Sequence, residues 1–292
     1  MIRTEIKRAL TGKSFKFALV IGIAIAIAAA VSAISTEFFR WDIWDKYWIN
    51  SDGSMNKNPQ IAVSTLYRCW IGGDYSPFSM AFYYFLPLLA AIPFSWSLAD
   101  EIKSGYRKQA IVRCGRERYY FSKYIAAFIS GALVVAIPLI INYIIVACFI
   151  PARMPDPGES IWYAIFMSSF CSKLFYTLPL LYDLIIILID MIFAGFWASL
   201  CLSLGFFIKN KAAIIILPYI LLLLHQFICM LVSAFRFYIE LSPFNFLKGY
   251  ETSNTISGLV IFSSIMIIAL VSVAITYILS LIHISEPTRL QL

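Results

Sequence analysis

Three residues set in apolar surroundings have side chains that could do chemistry: Asp183, Asp190 and His225. The two acids are seven residues apart, so a helix carries both on roughly one face. At 1.5 Å per residue, Asp190 is expected about 10 Å below the outer membrane boundary. An acid held at that depth is costly and marks a polar cavity, a partner or a proton path. His225, in "LLLLHQFICM", has no second histidine or acid beside it in sequence, which favours a helix–helix hydrogen bond over a relay. The acids therefore read either as a structural pair near the interface or, with His225, as the working groups of an ion- or proton-coupled secondary transporter.

Other catalytic vocabulary is missing from the sequence. "TGKS" at Thr11–Ser14 imitates a phosphate-binding loop, but that motif needs a glycine where this chain has Lys7, and a preceding strand. Six scattered cysteines form no C-x-x-C pair and no histidine cluster, so neither a metal nor a cofactor is expected on the chain. Cys69 and Cys171 fall on the same expected outer face, which leaves a disulfide between them open. Without paired carboxylates or a Ser/His constellation, the chain is not expected to be an enzyme.

The elements that must position these residues are membrane helices. Of the 292 residues, 61% are hydrophobic and 13% charged, about half the charge of a soluble domain. Apolar runs reach the ~20 residues that cross a bilayer. Six spans are expected, at about 15–36, 78–99, 124–150, 184–208, 212–234 and 258–278, making residues 1–278 one all-α transmembrane domain. Pro87 and Pro93 should kink the second span. Residues 161–182 read as an interfacial helix or a partial re-entrant element. Trp41, Trp44 and Trp48 recur at helical spacing and should anchor an interfacial helix after the first span.

The first sixteen residues place Ile2, Ile6 and Leu10 on one stripe among five basic residues, the pattern of an amphipathic helix at a membrane surface. Lys and Arg divide fourteen to eight between the two sets of loops, which puts the N-terminus in the cytoplasm. The net charge of +7 is thereby a topology signal, and no nucleic-acid partner is expected. The tail "LSLIHISEPTR" resembles the in-frame translation of a sequencing adapter, so residues 279–292 are read as a scar outside the functional chain.

One polar stretch, "LADEIKSGYRKQAIVRCGRERYYFSKY", joins the second and third spans. Ser104 can cap a short helix and Gly115 can end it. Tyr119, Tyr120 and Lys123 then read as an aromatic and basic belt at the interface. A short capped helix facing the cytoplasm suits docking of a soluble partner. A solvated positive loop accounts for the charge but not for the capping.

The order of these elements, with "E-x-x-x-G-x-x-K" formed by Glu101, Gly105 and Lys108 and a re-entry carrying Arg116, Tyr119 and Lys123, resembles the membrane subunit of type-two ABC transporters, the permease class of many bacterial exporters. "LSPFNFLKG" before the last span is similar to that family's final outer connection. The resemblance implies a six-span permease in a bacterial inner or plasma membrane, dimerising with a second copy or a paralogue. It also implies a separate cytoplasmic ATPase that binds the ATP and magnesium. Glu101, Gly105, Tyr106, Lys108, Arg113 and Arg116 would then contact or face that ATPase. Cys114 and Gly115 stand where the family often has a proline, so the local turn is expected to differ.

Overall fold

The computed structural model describes residues 1–47, 65–163, 165–166, 169–232, 241–248 and 257–282, and among these it contains helices and no strands. The N-terminal helix α1 (Ile2–Thr11) turns at Gly12 into α2 (Lys13–Tyr47). Short α3 (Leu66–Cys69) precedes α4 (Pro77–Ala91), α5 (Ser97–Lys103), α6 (Tyr106–Cys114) and the long α7 (Arg116–Phe149). After a connection holding α8 (Ser160–Tyr163) and α9 (Ser172–Thr177) come α10 (Pro179–Leu204), α11 (Lys211–Leu231), α12 (Pro243–Phe246) and α13 (Gly258–Ile282).

Among the described residues five helices are long and apolar enough to cross a membrane: Lys13–Phe39 within α2, α7, α10, α11 and Gly258–Ile278 within α13. The second expected span differs. Helix α4 has 15 residues, about 22 Å at 1.5 Å per residue against a ~30 Å hydrocarbon core. Pro93 lacks an amide hydrogen and its ring crowds the preceding turn. The chain accordingly leaves the helix over residues 92–96 and restarts as α5. The break is fixed by the Ser95 hydroxyl, which donates to the Ala198 carbonyl of α10 at 3.0 Å. A break thus replaces the expected kink at Pro93, while Pro87 sits inside α4.

Helix α7 is the hub, packing on α1, α2, α4 and α10. Its small residues permit close approach, as expected where helices meet without a hydrophobic drive from water. At Gly131 an added Cβ would lie 2.5 Å from the Ala198 Cβ and 2.8 Å from the Ala194 carbonyl. Polar stitches support the packing. The Asn142 amide donates to the Ala26 carbonyl and its oxygen accepts from the Ile71 amide, both at 2.8 Å. Trp70 and Ile71 are fully buried, so the turn after α3 enters the bundle. Irregular backbone at such a place requires protein partners for its polar groups, and Ser79 supplies another by donating to the Ile71 carbonyl.

The element predicted around residues 161–182 resolves into the short helices α8 and α9, with Tyr163, Ile165 and Phe175 buried against the core. Trp41 and Trp44 lie on the continuous helix α2, whereas Trp48 lies outside the described residues. No disulfide joins Cys69, which is buried, to Cys171, which is exposed. Helix α13 continues to Ile282, and residues 283–292 lie outside the described set.

Candidate functional site

At the end of the bundle where α1, α5, α6 and the start of α7 converge, a second core forms from Ala9, Phe94, Leu98, Ala110, Tyr119 and Tyr120 among others. Four charged side chains meet there: Glu5, Glu101 and Lys123 are buried, and Arg8 reaches in from the surface with its side chain 46% exposed. Lys123, 1% exposed, lies 2.7 Å from Glu101 Oε1 and 2.7 Å from Glu5 Oε2. Arg8 donates to Glu101 Oε1, and its guanidinium stands 4.0 Å from Glu5. Tyr119 donates its hydroxyl to Glu101 Oε2 at 2.5 Å, and the Lys123 ammonium sits 4.8 Å from the centre of the Phe94 ring.

Two acids and two bases make this cluster neutral, which is the condition for burying charge at tolerable cost. Burial works to raise the Glu101 pKa. The charge and hydrogen bond of Lys123, with those from Tyr119 and Arg8, outweigh it and hold the carboxyl below its ordinary range. For Arg8 burial acts downward, and the hydrogen bond and charge of Glu101 reverse the direction. The cluster ties three elements that are remote in sequence: α1 through Glu5 and Arg8, α5 through Glu101, and α7 through Tyr119 and Lys123.

Sequence reasoning gave several of these residues a different place. Glu101, expected to face a partner, is 2% exposed and turned inward. Tyr119, Tyr120 and Lys123, expected in an interfacial belt, are buried within the protein because they fall on the packed face of α7 one turn apart. Phe121 takes the outward position instead, at 58% exposure. Glu5 and Arg8 were missed. The available signal was Glu5 itself, the single acid in a basic helix, four residues before Ala9 on the face that packs. That face is rotated from the expected Ile2–Ile6–Leu10 stripe: Glu5 and Ala9 are buried and Ile2 is 42% exposed.

Helix α6 rests on this joint. Gly105 precedes it at φ +76°, and Gly115 follows at φ +81°, both in the region that favours glycine. Ser104 does not cap α6. It closes α5, its hydroxyl 3.4 Å from the Glu101 carbonyl, because the left-handed Gly105 has already turned the chain. Ala110 is buried, with Ile111 and Cys114 packed against the same core. Lys108, Gln109, Val112 and Arg113 face outward, and Val112 is 87% exposed. Tyr106 is 48% exposed and Arg116 half-buried. Asp100 of α5 reaches Lys211 of α11 at 2.8 Å, and Lys211 covers the Trp96 ring at 4.4 Å, which adds a further tie at this end.

The intramembrane His225 does not join the two buried acids. Asp183 and Asp190 are fully buried on α10, and Tyr83 of α4 donates to Asp190 Oδ2 at 3.2 Å. Asp190 Oδ1 meets no donor among the described residues. His225 lies on the exposed side of α11, 3.7 Å from the Cys229 sulfur of its own helix, and among the described residues it makes no bond to another helix. Among the described residues no group of three or more His, Cys, Asp or Glu could hold a metal ion.

Together the fold and the site define a multi-pass helical membrane protein with a buried ionic joint carrying an exposed helix. No protein-family model matches the chain, and no curated protein matches it.

Proposed function

We propose that the chain is the permease subunit of an ATP-driven exporter, with α6 as the docking helix for a separate cytoplasmic ATPase. The observation that carries this reading is the construction of α6. A two-turn helix with an exposed valine between basic residues is braced from beneath by an ionic cluster with three buried members, which the half-exposed Arg8 makes neutral. A merely solvated loop needs neither the bracing nor an apolar outward residue. In this reading α4 and α5 together form a sixth, broken crossing, both termini face the cytoplasm, and two permeases pair. ATP and magnesium belong to the ATPase.

Mechanically, closure of the ATPase dimer would push on Tyr106, Lys108, Val112 and Arg113. The ionic joint would pass that displacement to α1 and α7 as one body, because moving any element alone would separate buried opposite charges. Pro87, Pro138 and Pro218, which interrupt the hydrogen bonding inside α4, α7 and α11, are the places where the helices would yield.

Purification of the chain together with the products of the genes beside it tests the proposal. The ATPase should co-purify. Val112→Asp should lower its retention about tenfold or more, the size expected for losing one buried interface anchor. A chain that retains no ATPase, or a variant that retains it undiminished, contradicts the reading.

A second reading, an ion- or proton-coupled carrier, draws on Asp190, fully buried with an oxygen lacking a donor. The outward position of His225 removes one of its three expected groups from that path. Transport that survives ATP depletion and is lost in Asp190→Asn would favour it.

A further inference from the structure

The end of the bundle that holds the ionic joint also carries cations outside it. Arg3 and Lys7, four residues apart on α1, are exposed, as are Lys13 and Lys16 at the start of α2. None of the four forms an ion pair among the described residues. Glu5, the one acid in the first 36 residues, is buried and bound to Lys123. The exposed side of α1 and of the first turn of α2 therefore presents four unpaired cations and no acid of its own. Glu117, the acid in the first turn of α7, makes no ion pair with any of them.

Position selects the occupant. Lys13 opens the segment of α2 that is long and apolar enough to cross a membrane. Four residues on, Phe17 is 62% exposed, and Val20, Ile27 and Val31 continue the exposed stripe, Val20 at 65%. Steps of four, three, seven and four residues keep Lys13 and this stripe on one helix face. The opposite face, with Phe15, Ala18 and Ala26, is packed in the core. The stripe is thus the side that acyl chains touch. Lys13 stands about 6 Å along the axis from Phe17 at 1.5 Å per residue, and Lys16 lies one turn from both Lys13 and Val20. Ammonium groups on flexible stems at that level reach the headgroup plane while their methylenes stay on apolar surface. A soluble polyanion would meet the cations and leave the stripe bare. An anionic leaflet satisfies both.

We infer that Lys13 and Lys16, together with Arg3 and Lys7 of α1, bind the headgroups of anionic phospholipids whose chains lie along Phe17 and Val20. The inference stands apart from the ATPase reading, since it requires only that α2 cross a bilayer. Its consequence falls on the joint. Helix α1 supplies Glu5 and Arg8 to that cluster, so headgroups held by Arg3 and Lys7 would keep α1 seated from its outer side.

Native mass spectrometry of the full chain, released from detergent with equal amounts of phosphatidylglycerol and phosphatidylcholine, reads this directly. Phosphatidylglycerol should be retained preferentially. The double variant Lys13→Gln with Lys16→Gln should lower that preference about fivefold for each charge removed, the effect of one basic residue at a membrane surface. Replacing the same two residues by arginine keeps the charge and should keep the preference. Lys173→Gln removes an exposed charge just before α10, at the end of that helix remote from the joint, and should change nothing. Equal retention of the two lipids by the unaltered protein overturns the inference. So does a preference undiminished in the double glutamine variant, or one lost equally in Lys173→Gln.

Discussion

Lys123 touches both acids of the ionic joint and is 1% exposed, so its removal leaves Glu5 and Glu101 facing each other with only Arg8 between them. Lys123→Met should therefore destabilise the fold by about 3–5 kcal/mol, the cost of orphaning a buried charge. Glu101→Gln should do so in the same sense. The double variant leaves Glu5 and Arg8 as a neutral pair and should cost less than the sum of the two, as thermal unfolding in detergent would show. The acid side follows from the depressed Glu101 pKa. Its contribution is complete above the ordinary carboxylate value of 4.5 and is lost as pH falls through the lower folded value. The unfolding midpoint should thus be level from neutral pH to about 5 and decline below it, and Glu101→Gln should flatten that decline. Glu101 and Lys123 were visible in sequence as a polar pair bracketing the loop. Their burial was not, because a charge at a span boundary reads as solvated unless its partners are known, and Glu5 comes from a helix 96 residues away from Glu101.

At the scale of elements, the periods of the long helices were legible, and α7, α10, α11 and α13 fall near their expected places. What periodicity could not supply was the break after α4. Proline predicts a lost hydrogen bond, but whether the chain kinks or unwinds depends on tertiary contacts that hold the broken segment, here the Ser95 hydroxyl on the Ala198 carbonyl. The close crossing of α7 and α10 is likewise a tertiary fact. Gly131→Val should push these helices apart and lower stability by about 1–3 kcal/mol, as overpacking does, with loss of monodispersity on size exclusion as a second readout. For α6, Gly105→Val places a β-branched residue at φ +76° although nothing lies within 4 Å of its Cβ. Its cost is conformational, about 1–3 kcal/mol. Retention of the ATPase should fall because the helix loses its orientation, while the ionic joint stays formed.

Among the described residues the molecule is a bundle of five long apolar helices, with a sixth apolar segment broken near one end, and three buried charges, Glu5, Glu101 and Lys123, meet at that same end. Composition alone made the membrane class plain; the gathering of α1, α5 and α7 around one neutral cluster needed coordinates, since no single stretch contains it. Helix α6 packs Ala110 against the core beside that cluster, the foundation that the proposed docking role needs. The direct measurement is photocrosslinking from a photoreactive residue placed at position 112 in cells that also produce the proteins encoded by the neighbouring genes. The account predicts a product containing the ATP-binding polypeptide from position 112 and none from position 121, which is also exposed but lies on α7. No product from position 112, or the same product from both, would contradict it.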